Sequence, residues 1–204
     1  MTAIKVCGMR HPDDIEACRE ADYLGFVVSS VSHRNLGAER ARELMSLCDN
    51  TKVMVTTETN GKSLEAMVSR LEPDVLQLHS APDLDLMERM SACVETWAVL
   101  GVREGACIGA EMLGGCSALL LDSPGRQGGG TGRVHDWSIS RRIRDALHPF
   151  PVILAGGLMA DNLENAISVV RPYGVDMSSS LEAAGGKDPG MVREAIDRIR
   201  GRHT

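Results

Sequence analysis

The 204-residue sequence predicts an α/β fold, a (β/α)8 TIM barrel, from three observations. Short apolar, β-branched runs recur eight times at intervals too long for hairpins, and amphipathic stretches separate them. The runs are also too uniformly apolar to present a wet face, which is the pattern of parallel strands covered on both sides. Eight alternating units leave a closed barrel or an open doubly wound sheet. An open sheet built for a dinucleotide would carry GxGxxG after an early strand, whereas the first run ends in Cys7-Gly8-Met9-Arg10. The Gly128 to Gly132 run has Arg133 where the last glycine would stand, and no Gly-Lys-Ser/Thr completes a phosphate loop. Strand count therefore favours the barrel, as one domain over residues 1–204, with short loops because the chain lies near the lower size limit of the architecture.

Strands are expected at Ile4–Cys7, Tyr23–Val28, Lys52–Thr56, Val75–Leu78, Thr96–Leu100, Ala118–Leu121, Val152–Ala155 and Gly174–Met177. After the second strand, Ala38, Ala41, Leu44, Met45 and Cys48 share one helical face. Gly101 to Gly115, after the fifth, is glycine-rich and is expected to be short or irregular. After the eighth, Met191, Val192, Ala195, Ile196 and Ile199 mark another helical face, and Asp188-Pro189 supplies an N-cap followed by proline at the first helical position.

A net charge of −6 without a long basic run argues against a nucleic-acid or anionic-membrane partner. The cluster Arg141, Arg142 and Arg144 reads as a solvated helix face. Residues 1–6 enter a strand pattern at once, and no apolar run is long enough to span a bilayer, so a cytoplasmic protein is expected. The six cysteines lack CxxC spacing, which fits neither a zinc site nor a disulfide framework, and most are expected to be small buried residues.

In a barrel, the groups ending each strand face one mouth, where ligands gather. Leu119-Leu120-Leu121-Asp122 is an apolar run that stops at a carboxylate, so Asp122 is the first candidate. The other strand ends contribute Cys7, Ser29 and Ser30, Thr56, His79, Gly156-Gly157, and Asp176 through Ser180. Small residues at the ends of strands seven and eight suit a phosphate, because backbone N–H groups can approach an anion there. A phosphorylated small molecule, a sugar phosphate in particular, is the expected partner. Cys7 is a buried inert thiol by default, but at this position it can act as base or nucleophile. His79 reads as a neutral wall residue, and Arg34 offers a guanidinium fork to a carboxylate.

Together these segments resemble the phosphoribosylanthranilate isomerase family of tryptophan biosynthesis. The resemblance runs from end to end through Lys5-Val6-Cys7-Gly8-Met9-Arg10, Ser32-His33-Arg34, Leu76-Gln77-Leu78-His79 and Leu121-Asp122-Ser123. It continues through Gly129-Gly130-Thr131-Gly132, Asp136-Trp137, Leu154-Ala155-Gly156-Gly157-Leu158 with Asn162, and Gly174-Val175-Asp176 through Glu182 with Gly186-Lys187-Asp188. It implies an Amadori rearrangement without cofactor or metal, with Asp122 as general acid and Cys7 as general base. Arg34 would hold the anthranilate carboxylate, and Gly156, Gly157, Ser178 and Ser179 would cradle the phosphate. His79, Asp176 and Gly130 would complete the wall, with the Gly128 to Gly132 loop closing over the site. Ser180 and Ser80 stand where the family usually has glycine, His135 where it has phenylalanine, and Thr56-Thr57-Glu58 where it tends to Phe-Val-Asn. The alternatives are an isomerase of another ribose phosphate and a non-catalytic phosphosugar-binding barrel. The oligomeric state is open between monomer and homodimer.

Overall fold

Eight parallel strands close on themselves in the computed structural model, which describes residues 1–79, 83–109, 113–123 and 134–202. They are β1 (Ala3–Cys7), β2 (Tyr23–Val27), β3 (Thr51–Thr56), β4 (Val75–Leu78), β5 (Glu95–Gly101), β6 (Ala118–Asp122), β7 (Val152–Leu154) and β8 (Gly174–Met177). Each pairs with the next in the chain, and β8 returns to β1. The helices are α1 (Pro12–Ala17), α2 (Ala38–Ser46), α3 (Gly61–Leu71), α4 (Leu84–Ser91), α5 (Trp137–Leu147), α6 (Ala160–Val170) and α7 (Pro189–Ile199). Among the described residues no helix follows β5, the connection whose glycines oppose one. None of the described helices is long and apolar enough to cross a membrane.

Alternate strand residues divide the apolar material into two layers, because a strand's side chains point to opposite faces. Val53, Val55, Val75, Val99, Leu120 and Ile153 fill the barrel, with Tyr23 and Trp97 in edge-to-face contact at 5.0 Å. Ile4, Leu24, Phe26, Met54, Leu76 and Leu119 face the helices. The same parity carries polar groups inward near the mouth, Lys5 and Cys7 on β1, Gln77 on β4 and Asp176 on β8.

Three expectations change in three dimensions, and one loop gains structure of its own. Met191 is 43% exposed although Val192, Ala195 and Ile196 are buried. At about 100° per residue it lies a quarter-turn off the centre of that stripe. Asp188 does cap α7, accepting from the Met191 N–H at 2.9 Å. Arg141 and Arg144 are not a merely solvated face: they donate to the Val169 and Val170 carbonyls at 3.0 and 2.9 Å, capping the C-terminus of α6. Of the cysteines, Cys18, Cys48 and Cys116 are buried, but Cys93 and Cys107 are exposed. Finally, the loop after β8 builds a 3-10 turn (Ser179–Leu181) and a small hairpin, β9 (Glu182–Ala183) with β10 (Gly186–Lys187). Its two-residue turn has positive φ at both Ala184 and Gly185, the geometry that matches strand twist.

The seam that closes the barrel sets Lys5 directly opposite Asp176. Their charges lie 2.9 Å apart, with the lysine side chain 1% exposed. A buried pair is costly to break from one side, because the survivor is left as an uncompensated charge. Lys5→Met should lower unfolding free energy by about 3–5 kcal/mol. Asp176→Asn added to it should recover a large part of that loss, both read from urea denaturation midpoints.

Candidate active site

Cys7 and Asp122 end β1 and β6, which are separated by β7 and β8 on the shorter path around the ring. They therefore face one mouth from well-separated sides. The Asp122 carboxylate accepts the Ser123 N–H at 2.8 Å, and His79 Nε2 lies 3.6 Å from its other oxygen. Burial pushes the Asp122 carboxyl above its ordinary range, and the Asp176 charge adds to that. His79, the Ser123 N–H and Lys5 pull the other way. A carboxyl held toward its protonated form has a proton to give.

Cys7 as a residue is half-buried at the end of β1. Burial raises its pKa, Lys5 and Lys187 lower it, and Asp176 raises it further. In the free protein the thiol is thus held mainly neutral, in contrast to the thiolate character expected of a base. Thr56 is buried, and its hydroxyl donates to the Ser29 carbonyl at 3.3 Å, tying two strand ends together.

Arg34 reaches the mouth beside Cys7 because Gly8 makes room. A Cβ on Gly8, whose φ is +92°, would lie 2.4 Å from Arg34 Cδ. The guanidinium is gripped from its side by Glu182, Nε to Oε1 at 2.7 Å and Nη2 to Oε2 at 2.9 Å. Two of the five N–H groups are spent in this way, which leaves the end-on edge for a second carboxylate. Glu182 also accepts from Lys187 Nζ at 2.9 Å, and its pKa is lowered to about 2 by these two cations against the opposing effect of burial. The backbone of Lys187 donates to Asp14 Oδ1 at 2.6 Å, while Asp14 Oδ2 accepts from the Arg10 and His11 N–H groups at the start of α1.

The loops after β7 and β8 lie side by side. Gly156 and Gly157 both have positive φ. A Cβ on Gly156 would fall 2.3 Å from Ser123 Oγ, so the acid's strand end and this loop meet only through glycine. Among the described residues neither glycine N–H has a protein acceptor. Asn162 ties the loop to the first turn of α6, donating to the Gly157 carbonyl at 2.9 Å and accepting from Met159 N–H at 3.0 Å. The Ser178 hydroxyl is committed elsewhere, to the Cys7 carbonyl at 2.9 Å, whereas Ser179 is exposed at the start of the 3-10 turn. Among the described residues, Ser180 Oγ is buried without a hydrogen-bond partner. Gly130 with the Gly128 to Gly132 loop, and Ser80, lie outside the described residues.

A second polar relay supports the acid. Ser123 Oγ meets His135 Nδ1 at 3.0 Å, and His135 Nε2 meets Ser140 Oγ at 2.6 Å. The imidazole so bridges the end of β6 to the fully buried Ser140 of α5. Burial holds its pKa down.

The family model for N-(5'-phosphoribosyl)anthranilate (PRA) isomerase matches residues 4–198. The chain belongs to this family. It is 36% identical over 206 residues to the N-(5'-phosphoribosyl)anthranilate isomerase of Methanothrix thermoacetophila, covering 98% of this chain and 99% of that one. The solved N-(5'-phosphoribosyl)anthranilate isomerase of Pyrococcus furiosus superposes with a TM-score of 0.84 at 28% identity, over 98% of this chain and all (100%) of that one. A phosphoribosyl anthranilate isomerase solved with reduced 1-(o-carboxyphenylamino)-1-deoxyribulose 5-phosphate gives 0.81 at 26% identity, over 98% and 100% of the two chains.

Within this PRA isomerase framework, the sequence reading overlooked Lys5, Glu182, Lys187 and the Ser123–His135–Ser140 relay as parts of the site. Lys5 had a positional signal, two residues before Cys7 on the same face of a strand, and Ser123, Glu182 and Lys187 lay within the segments that carry the family resemblance. His135 makes a testable contribution. Its folded pKa lies below the unfolded value, so the stability due to the neutral ring is present above about pH 6.5 and lost as pH falls below it. Urea midpoints at about pH 7.5 and 5.5 should therefore fall further apart in the parent chain than in His135→Phe.

Proposed function

We propose that this chain is an N-(5'-phosphoribosyl)anthranilate isomerase of tryptophan biosynthesis. It would convert N-(5'-phosphoribosyl)anthranilate to 1-(2-carboxyphenylamino)-1-deoxyribulose 5-phosphate. The observation that carries this reading is one mouth holding a carboxyl biased toward its acid form on β6 and a cysteine on β1, with the free edge of a buried arginine beside the cysteine. Asp122 gives its proton to the ribose ring oxygen as the C1–O bond breaks and the anilino nitrogen forms a C1 iminium. Cys7, as thiolate, takes the C2 proton, and the C2–H electron pair becomes the C1–C2 double bond of an enolamine. Protonation at C1 and loss of the C2 hydroxyl proton give the ketone. The redox change is internal to the sugar, so only protons move between substrate and protein.

The end-on edge of Arg34 takes the anthranilate carboxylate, held in line by Glu182. The backbone of Gly156, Gly157, Ser178 and Ser179 takes the phosphate, with the N-terminus of α6 behind the first two. Ser178 serves through its backbone, since its hydroxyl fixes the Cys7 carbonyl. His79 and Asp176 form the wall between acid and base.

The decay of anthranilate-type fluorescence, with substrate generated in situ, tests the assignment. Cys7→Ala and Asp122→Asn should each lower kcat by roughly 10²–10⁴-fold, the range of a general acid or base, while both remain folded. No turnover above background by the parent protein would sink the reading. Arg34→Ala should act mainly on KM, with kcat/KM down by about ten- to a hundredfold, the equivalent of one charged hydrogen-bonding partner. Glu182→Gln should give a smaller change in the same direction.

A further inference from the structure

We propose that Lys5 is the positioning residue of Cys7, a sealed counter-ion that stabilises the thiolate and aims it at the sugar. This deepens the isomerase reading and rests on Cys7 being its base. Lys5 and Cys7 are two residues apart on β1, so both side chains point into the barrel, the lysine below and the cysteine at the rim. The ammonium is shut off from solvent, and Asp176 faces it across the seam at 2.9 Å. That contact is not aligned as a hydrogen bond. An ammonium has three donors to place and no acceptor, and Cys7 is the next side chain along the same face of β1.

Among the described residues, four charged groups act on Cys7: Lys5 from its own strand, Asp176 from β8, Lys187 from β10 and Arg34 from the loop after β2. Arg34 and Lys187 are both bonded to Glu182, at 2.7 and 2.9 Å. Lys5 is the strongest of the influences drawing the proton off the thiol, and Asp176 holds the ammonium in place while partly opposing it. A purely structural seam has no use for this arrangement, because apolar residues of similar volume close a barrel without desolvating two ions.

The test reads the sulfur directly. Iodoacetamide alkylation of Cys7 in the free protein, resolved from the other cysteines by peptide mass spectrometry, gives a titration midpoint as pH is varied. To avoid leaving a lone buried carboxylate, Lys5→Met is made in an Asp176→Asn background and compared with Asp176→Asn alone. Loss of the ammonium should raise the midpoint by about one unit. Over the plateau of the pH profile kcat/KM should fall roughly tenfold, with KM changed less than about twofold. Lys5→Arg in the otherwise unaltered chain, which keeps the charge, should leave the midpoint within about 0.3 unit. A midpoint that differs by less than about 0.3 unit between the two Asp176→Asn proteins overturns the role of Lys5. Retained turnover in Cys7→Ala overturns it by another route, since Lys5 would then still shift alkylation but Cys7 would not be the base.

Discussion

The seam between β1 and β8 carries a lysine ammonium against a carboxylate inside a barrel filled mainly with apolar side chains. Ions in such a place are tolerated only as a pair, so the seam is committed to one register: a one-residue slip of β1 would turn Lys5 and Cys7 outward and Ile4 and Val6 inward. The same pair lies within electrostatic reach of both Cys7 and Asp122, the one on β1 itself and the other two strands beyond β8. Closing the barrel and setting the charge balance of its mouth are thus one interaction.

A second group of charges, on the far side of Cys7, is organised around Glu182. It grips Arg34 from the side and Lys187 from beneath, and it stands on the hairpin that follows β8. Asp14 fastens that hairpin to the start of α1 by accepting the Lys187 N–H. Arg34 is therefore held by an element 148 residues away in the chain, with its free edge presented and its rotamers restricted. A guanidinium that is already oriented loses less entropy on meeting a carboxylate than one free in a loop.

The acid has its own support, of different chemistry. A chain of neutral groups, Ser123, His135 and Ser140, fixes the turn that carries Asp122, while glycine at position 156 lets that turn and the neighbouring loop pack backbone against side chain. A neutral relay adds no charge next to a carboxyl whose pKa burial raises. His135 thus joins the end of β6 to α5 by hydrogen bonds.

All eight strands were legible in the sequence, with their ends within one residue, because buried parallel strands are continuous apolar runs and the residues near their ends share one mouth. Cys7, Asp122 and Gly156-Gly157 could be picked out on that ground, and Arg34 by its guanidinium in the loop after β2. Met191 shows the limit of a periodic pattern: a residue at the margin of a stripe can fall on either side of the boundary with solvent. The charges around Cys7, the grip on Arg34, the hairpin under Glu182 and the clasp at His135 were decided only in the tertiary structure. Each depends on a distance between groups far apart in sequence and on the loss of water around them, and a linear order of residues encodes neither until the barrel closes.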